Sequence, residues 1–274
     1  MLGLGVFSGN LYAKDYLIST PNTSLLITAV PGEKSKFQYY GCRIFEKDIQ
    51  GIYDSGLAFG LESYPVFGLN TPGERAMAVT HSDGNMSLDL AVEEVKQYTS
   101  NEAEVTEIRM KDKVYPFVLK QIYKAYKRTD IISTWVEVEN HGKKPITLYR
   151  FASAFMPVSR GDNWMTHFHG FWGAECTQEE EKLTNGQKVI SNKDGLANTE
   201  TDNPSFMLTM DGRPQEENGH VLGGTLAWTG TYLIKMDVHN TKFNVSAGIN
   251  EETSHYILAV SYTHLRAHET RRHL

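Results

Sequence analysis

The chain has 274 residues, with 27 Lys and Arg against 33 Asp and Glu, a formal charge of −6. That mild, evenly mixed acidity gives no electrostatic reason to expect nucleic acid or an anionic membrane as a partner, and 40% hydrophobic with 22% charged residues excludes a disordered chain. The length suits one or two domains, and all-β domains run to about 200–250 residues as one unit.

Residues 1–15 open with a short apolar stretch (Leu2, Leu4, Val6, Phe7) followed by Ala13, Lys14 and Asp15. This is how the end of a secretory signal peptide looks, although the basic leader is absent; a disordered or strand-like N-terminus is the alternative. The expected location is periplasmic or secreted, with cytoplasmic as the alternative. No stretch approaches the ~20 apolar residues of a membrane span.

From Tyr16 onward alternation of period two dominates, broken by turn chemistry about every ten residues. Strands are predicted at residues 24–30, 114–126, 132–139, 146–155, 205–210, 221–228, 232–239 and 242–248. Asn140-His141-Gly142-Lys143 reads as a tight turn in which Gly142 supplies a positive φ, so that 132–139 and 146–155 pair as a hairpin. Thr229-Gly230-Thr231 and Asn240-Thr241 punctuate the last three strands. Residues 91–98 are open between helix and strand. Segments 45–71, 161–163, 178–187, 192–203 and 211–218 are too polar and irregular for strands and are expected to be loops, which on a rigid β scaffold tend to carry binding functions. Many short strands with regular turns imply a sandwich.

Cys42 and Cys176 lie far apart with no Cys-x-x-Cys spacing, so neither a redox motif nor a zinc site is indicated, and both are expected to be buried free thiols. His167 and His169 would share one face of a strand, a spacing able to ligate a metal. With no third ligand in view they read as structural or interface histidines. Phosphate-binding glycine loops and a Gly-x-Ser-x-Gly elbow are absent from the sequence.

A collinear series of motifs is more specific. The strand start Asp130-Ile131-Ile132, the Asn140-His141-Gly142 turn, LYRFASAFMPV at 148–158 and GDNWMTHFHGFWGAE at 161–175 are joined by ESYP at 62–65, VTHSDGNMSLDL at 79–90, TDNPSFML at 201–208, GGTLAWTGTYL at 223–233 and VSAGIN at 245–250. Together they resemble the N-terminal domain of glycoside hydrolase family 36, the α-galactosidases, over about residues 16–259. The resemblance implies an all-β fold, a large two-sheet β-supersandwich of galactose-mutarotase-like type with few or no helices. It also implies a non-catalytic domain of a retaining enzyme that releases terminal α-linked galactose from oligosaccharides such as melibiose or raffinose. Both catalytic aspartates would lie in a (β/α)8 barrel missing from this chain, so no catalytic residue is assigned here. No cofactor and no metal are implied; the oligosaccharide substrate, the barrel and a homotetramer are the implied partners. A stand-alone carbohydrate-binding or oligomerisation sandwich is the rival reading.

Family 36 enzymes pass a loop of this domain to a neighbouring active site. Tyr53 and Asp54, in the aromatic and polar stretch 49–67, are therefore the nominated substrate-rim residues, and Phe171 and Trp172 the nominated contact with the barrel. Asp237, in Lys235-Met236-Asp237, superficially resembles the family's nucleophile motif. It is read instead as part of a solvated strand face, because alternation sends Ile234, Met236 and Val238 inward and Lys235 and Asp237 outward. Finally, residues 260–270 resemble one reading frame of a transposon-end sequencing adapter, so 260–274 are expected to be a non-native tail, with the native chain stopping near Ala259.

Overall fold

A computed structural model describes residues 14–68, 73–196, 201–252 and 255–260. The leader-like segment up to residue 13 and nearly all of the adapter-like tail, 261–274, lie outside the described residues. The body is almost entirely β, as the alternation predicts. Among the described residues the strands hydrogen-bond into four sheets of four, six, four and four strands, where a two-sheet arrangement was expected.

The first sheet contains β1 (Lys14–Ser19), β2 (Thr23–Ala29), β3 (Lys36–Cys42) and β4 (Leu61–Glu62), paired in that order. Its first turn is tied down from a distance. Asp130 accepts hydrogen bonds from Asn22 Nδ2 and from the Asn22 backbone amide, both at 2.7 Å, and from Thr20 Oγ1 at 2.9 Å, and these bonds hold its carboxyl below the usual carboxylate range. Strand β5 (Met77–Thr80) follows. Then comes an antiparallel meander of β6 (Leu90–Thr99), β7 (Ala103–Asp112), β8 (Phe117–Tyr126) and β9 (Ile132–Asn140). Residues 91–98 thus belong to a strand: they pair with β7 along their length, and one end is buried while the other is solvated.

Strand β10 (Ile146–Pro157) does not pair with β9, contrary to the hairpin expectation. The turn is made without a positive φ at Gly142, which is missing from the left-handed glycines. Instead Asn140 Oδ1 accepts the Gly142 amide at 2.9 Å, while Asn140 Nδ2 donates to the Lys144 carbonyl. The side chain thus turns the backbone, and β10 leaves for another sheet.

The remaining strands are β11 (Trp164–Phe171), β12 (Ala174–Lys182), β13 (Gly186–Asn192), β14 (Asp202–Thr209), β15 (Val221–Thr225), β16 (Tyr232–His239), β17 (Lys242–Ile249) and β18 (Tyr256–Leu258). One sheet runs β12-β11-β14-β15 and the other β13-β16-β17-β10-β18, with β5 also on β10. Asn240-Thr241 closes the β16–β17 hairpin as predicted, with His239 opposite Lys242. The expected loop 178–187 is mostly strand. Its charges mislead because β12 is an edge strand, mostly solvated, so its glutamates need no apolar alternation.

Two apolar clusters result. Ile18, Leu25, Ile27 and Phe37 from the first sheet meet Ile108, Leu119, Val136 and Val138 from the meander, with Val79, Leu148, Phe151 and Phe155 completing the cluster. The second gathers Met165, Phe206 and Leu208 against Ile190, Ile234, Met236, Val238 and Phe243. Met156 of β10 packs on both. Both cysteines are exposed free thiols, which corrects the buried reading: Cys42 ends β3, and Cys176 lies in the open β12 with a positive φ of 55°.

Leu148 on β10 is 2% exposed. Truncating such a side chain loses its transfer free energy and leaves a cavity, so Leu148→Ala is expected to cost about 2–5 kcal/mol. Urea unfolding with an unchanged m-value is the check.

Candidate functional site

A polar network of side chains from β10, β13 and β16 and from the segments beside β5 and β17 lies where the first cluster meets the six-stranded sheet. Arg150 sits in the middle of β10, between apolar neighbours, at a register shift opposite β5. Its Nη1 contacts the Glu74 carboxylate, and its Nε lies 3.4 Å from Glu251 Oε2. Lys235 on β16 reaches Glu251 at 2.7 Å and lies 3.9 Å from Glu74. Burial lowers the Arg150 pKa, opposed by the charges of Glu251, Tyr64 and Asp237. A shallow depression beside Arg150 is lined by Leu233, Ser246, Ile249 and Glu251.

Asp237 belongs to the same face and is 2% exposed, so the solvated-face reading is corrected. It accepts a hydrogen bond from Gln187 Nε2 at 3.1 Å and lies 3.2 Å from His239 Nε2. Gln187 also donates to Glu74 at 2.7 Å. Central strand β16 is covered on both faces: Ile234, Met236 and Val238 enter the second cluster, while Glu74 and Gln187 close over the other side. Strand alternation correctly separated the two sets of side chains but could not see this polar cover. The one sequence signal for the network is a lone arginine inside the apolar strand 146–157.

Tyr53 and Asp54 end α1 (Ile49–Asp54), a helix of six residues preceded by a 3-10 turn at Glu46–Asp48, within the stretch expected to be loop. So short a helix shows no periodicity, and Ile52 is its one buried residue. Tyr53 Oη donates to Asp15 Oδ1 at 2.8 Å and lies 2.9 Å from Thr28 Oγ1. Burial raises its pKa, and Asp15 adds to the shift. Asp54 is exposed and accepts one hydrogen bond, from Gln50 at 2.8 Å. The tyrosine hydroxyl is thus committed to the β1–β2 hairpin, whereas the aspartate faces solvent.

Phe171 and Trp172 lie on a different element, at the tip of the β11–β12 hairpin, with Gly173 in the left-handed region at φ 80°. They are 64% and 83% exposed. Behind them His167 is buried, with Nε2 3.5 Å from Glu179 and 3.4 Å from Glu181, and His169 lies 3.6 Å from Glu179. Lys188 of β13 pairs with Glu181 at 2.5 Å. Among the described residues no three His, Cys, Asp or Glu side chains form a group able to hold a metal ion.

Chemically, the junction network sets the carboxylates of Glu74, Glu251 and Asp237 against the two cations Arg150 and Lys235. Glu74 and Glu251 are each paired with a cation, and Asp237 accepts from the Gln187 amide with the His239 imidazole 3.2 Å away. Removing one partner strands the others in a poorly solvated place. Arg150→Ala is expected to cost about 3–5 kcal/mol, and the double substitution R150M/E74L less than the sum of its parts. A double-mutant cycle by urea denaturation measures the difference.

Comparison with known proteins identifies the family. The model of the glycosyl hydrolase family 36 N-terminal domain matches residues 34–259. The chain is 25% identical over 206 residues to alpha-galactosidase AgaA of Geobacillus stearothermophilus, covering 69% of this chain and 28% of that protein. It is 29% identical over 154 residues to alpha-galactosidase Mel36A of Lactobacillus acidophilus, covering 55% of this chain and 20% of the relative. The crystal structure of AgaA superposes with a TM-score of 0.81 at 19% identity, covering 93% of this chain and 40% of that one. The alpha-galactosidase of Lactobacillus brevis gives 0.79 at 20% identity, covering 93% and 38%. The chain therefore spans between a fifth and two fifths of these relatives and shares their fold over nearly its whole described length. With the family model matched across residues 34–259, the chain belongs to the glycosyl hydrolase family 36 N-terminal domain family.

Proposed function

We propose that this chain is the non-catalytic N-terminal domain of a retaining α-galactosidase, exported to the periplasm or beyond, whose chemistry resides in a (β/α)8 barrel. In this reading the four sheets stack as one β-supersandwich of the galactose-mutarotase type. The full enzyme removes terminal α-linked galactose from oligosaccharides of the melibiose and raffinose kind. The single observation that carries the reading is the family match over residues 34–259 in a chain that spans only 40% of the solved AgaA chain.

Phe171 and Trp172 form the contact with the barrel. Two large rings extended on a hairpin tip are costly in water, and burying an aromatic side chain gains about 1.5–3 kcal/mol. Asp54 is the better rim candidate of the nominated pair, because its carboxylate is available to sugar hydroxyls while the Tyr53 hydroxyl is already bonded within the domain. The enzyme works as a homotetramer in which such a rim approaches a neighbouring active site.

Two measurements test the reading. Purified 274-residue chain should release no aryl alcohol from an aryl α-galactoside above the buffer rate; measurable turnover that copurifies with the chain contradicts a non-catalytic domain. In an enzyme carrying the barrel, Asp54→Ala should raise KM for raffinose about tenfold, the loss of one charge-assisted hydrogen bond. Unchanged KM and kcat remove Asp54 from the rim.

A further inference from the structure

Asparagine followed by glycine is a chemically labile pair, because a residue without a Cβ lets its backbone nitrogen come close to the side chain before it. That nitrogen attacks the asparagine Cγ and closes a succinimide ring, while its proton passes by way of water to the side-chain nitrogen, which leaves as ammonia. Water then adds to one ring carbonyl and breaks its bond to nitrogen, leaving a carboxylate and a restored N–H. Opening at the side-chain carbonyl gives aspartate, and opening at the backbone carbonyl gives isoaspartate. The attack needs a side chain free to swing over the backbone and a glycine N–H committed to no acceptor. The sequence holds the pair twice, as Asn185-Gly186 and Asn218-Gly219.

All four residues are exposed, so access to water does not separate the two pairs. Hydrogen bonding does. Asn185 is held at both ends of its side-chain amide, Nδ2 donating to Asn240 Oδ1 at 2.6 Å and Oδ1 accepting from Arg160 Nη2 at 3.5 Å. Gly186 opens β13 and is fixed in register opposite Val238 of β16. Asn218 lies instead in the irregular segment between β14 and β15. Among the described residues neither its side-chain amide nor the Gly219 N–H has a hydrogen-bond partner. Gly219 has a φ of 117°, a backbone conformation that glycine adopts without cost.

We propose that Asn218-Gly219 is a site of spontaneous covalent modification in the folded chain, at which Asn218 passes through the succinimide to isoaspartate and aspartate while Asn185 persists. Each conversion adds a carboxylate to a segment that already carries Asp211, Glu216 and Glu217. Gly219 lies beside the first of these, the Asp211 oxygens being 3.7 and 3.9 Å from where a Cβ would be. The isoaspartate form also lengthens the backbone by one carbon just ahead of β15. The inference concerns the chain itself and is independent of the galactosidase reading.

Peptide mapping by mass spectrometry tests it, on the folded 274-residue chain incubated in warm, mildly alkaline buffer, with isoaspartate counted by an isoaspartyl methyltransferase. Asn218 is expected to convert at least about tenfold faster than Asn185, a barrier lower by roughly 1.4 kcal/mol, and isoaspartate is expected at that position. In guanidinium, where the fold no longer holds Asn185, the two pairs should react at comparable rates. Asn218→Gln, whose extra methylene forces a larger ring, should remove the isoaspartate signal at that position. A folded chain in which Asn218 converts no faster than Asn185, product that is aspartate alone, or a contrast between the two pairs that survives in guanidinium overturns the proposal.

Discussion

Strand β10 is hydrogen-bonded in both halves of the molecule, and the rest of the arrangement depends on that. Its first half lies between β18 and β5, and its second half pairs with β17. Two register shifts, one near Arg150 and one near Ala152, let a single twelve-residue strand change partners along its length. A shift of this kind inserts a kink and strengthens the local twist. Phe151 and Phe155 therefore point into the first apolar cluster while Met156 touches both. Two apolar clusters that could have belonged to separate bodies share one strand of backbone.

The charge lattice of Glu74, Arg150, Lys235, Glu251 and Asp237 stands at the same junction. A guanidinium in the middle of an apolar strand is expensive unless every partner is in place, which is why β5's preceding segment, β13, β16 and the turn after β17 converge there. Such a network adds little net stability over apolar packing of the same shape. It does restrict the way the parts fit together, since any other register leaves a buried charge alone.

Much of this was readable from residue order and some was not. The alternation of apolar residues in 232–239 and 242–248 and the two-residue turn between them gave a hairpin whose bounds the structure reproduces to within one residue, because so short a turn leaves the two strands no partner nearer than each other. The turn at Asn140-Gly142 was equally visible. Its consequence was not: turn chemistry reverses a chain but does not choose the sheet that receives it, and β10 went to β17 instead of β9. Glutamates at 179–181 suggested a loop because an edge strand in water needs no apolar pattern. The solvated reading of Asp237 failed for a complementary reason, as the cover over β16 is itself polar. Of the nominated site residues, Phe171 and Trp172 lie exposed on one hairpin tip and Tyr53 and Asp54 on a short helix of the first sheet, while the junction network was announced only by Arg150 among apolar neighbours.

The shared strand makes a direct thermodynamic claim: the two apolar clusters open together. Amide hydrogen exchange in rising sub-denaturing urea measures the opening free energy of β8, inside the first cluster, and of β16, inside the second. The account predicts that the protected amides of both strands converge on one opening reaction with the same urea dependence. Exchange of β16 and β17 through an opening that leaves β7 and β8 protected would mean that β10 joins two independent units, and would contradict it.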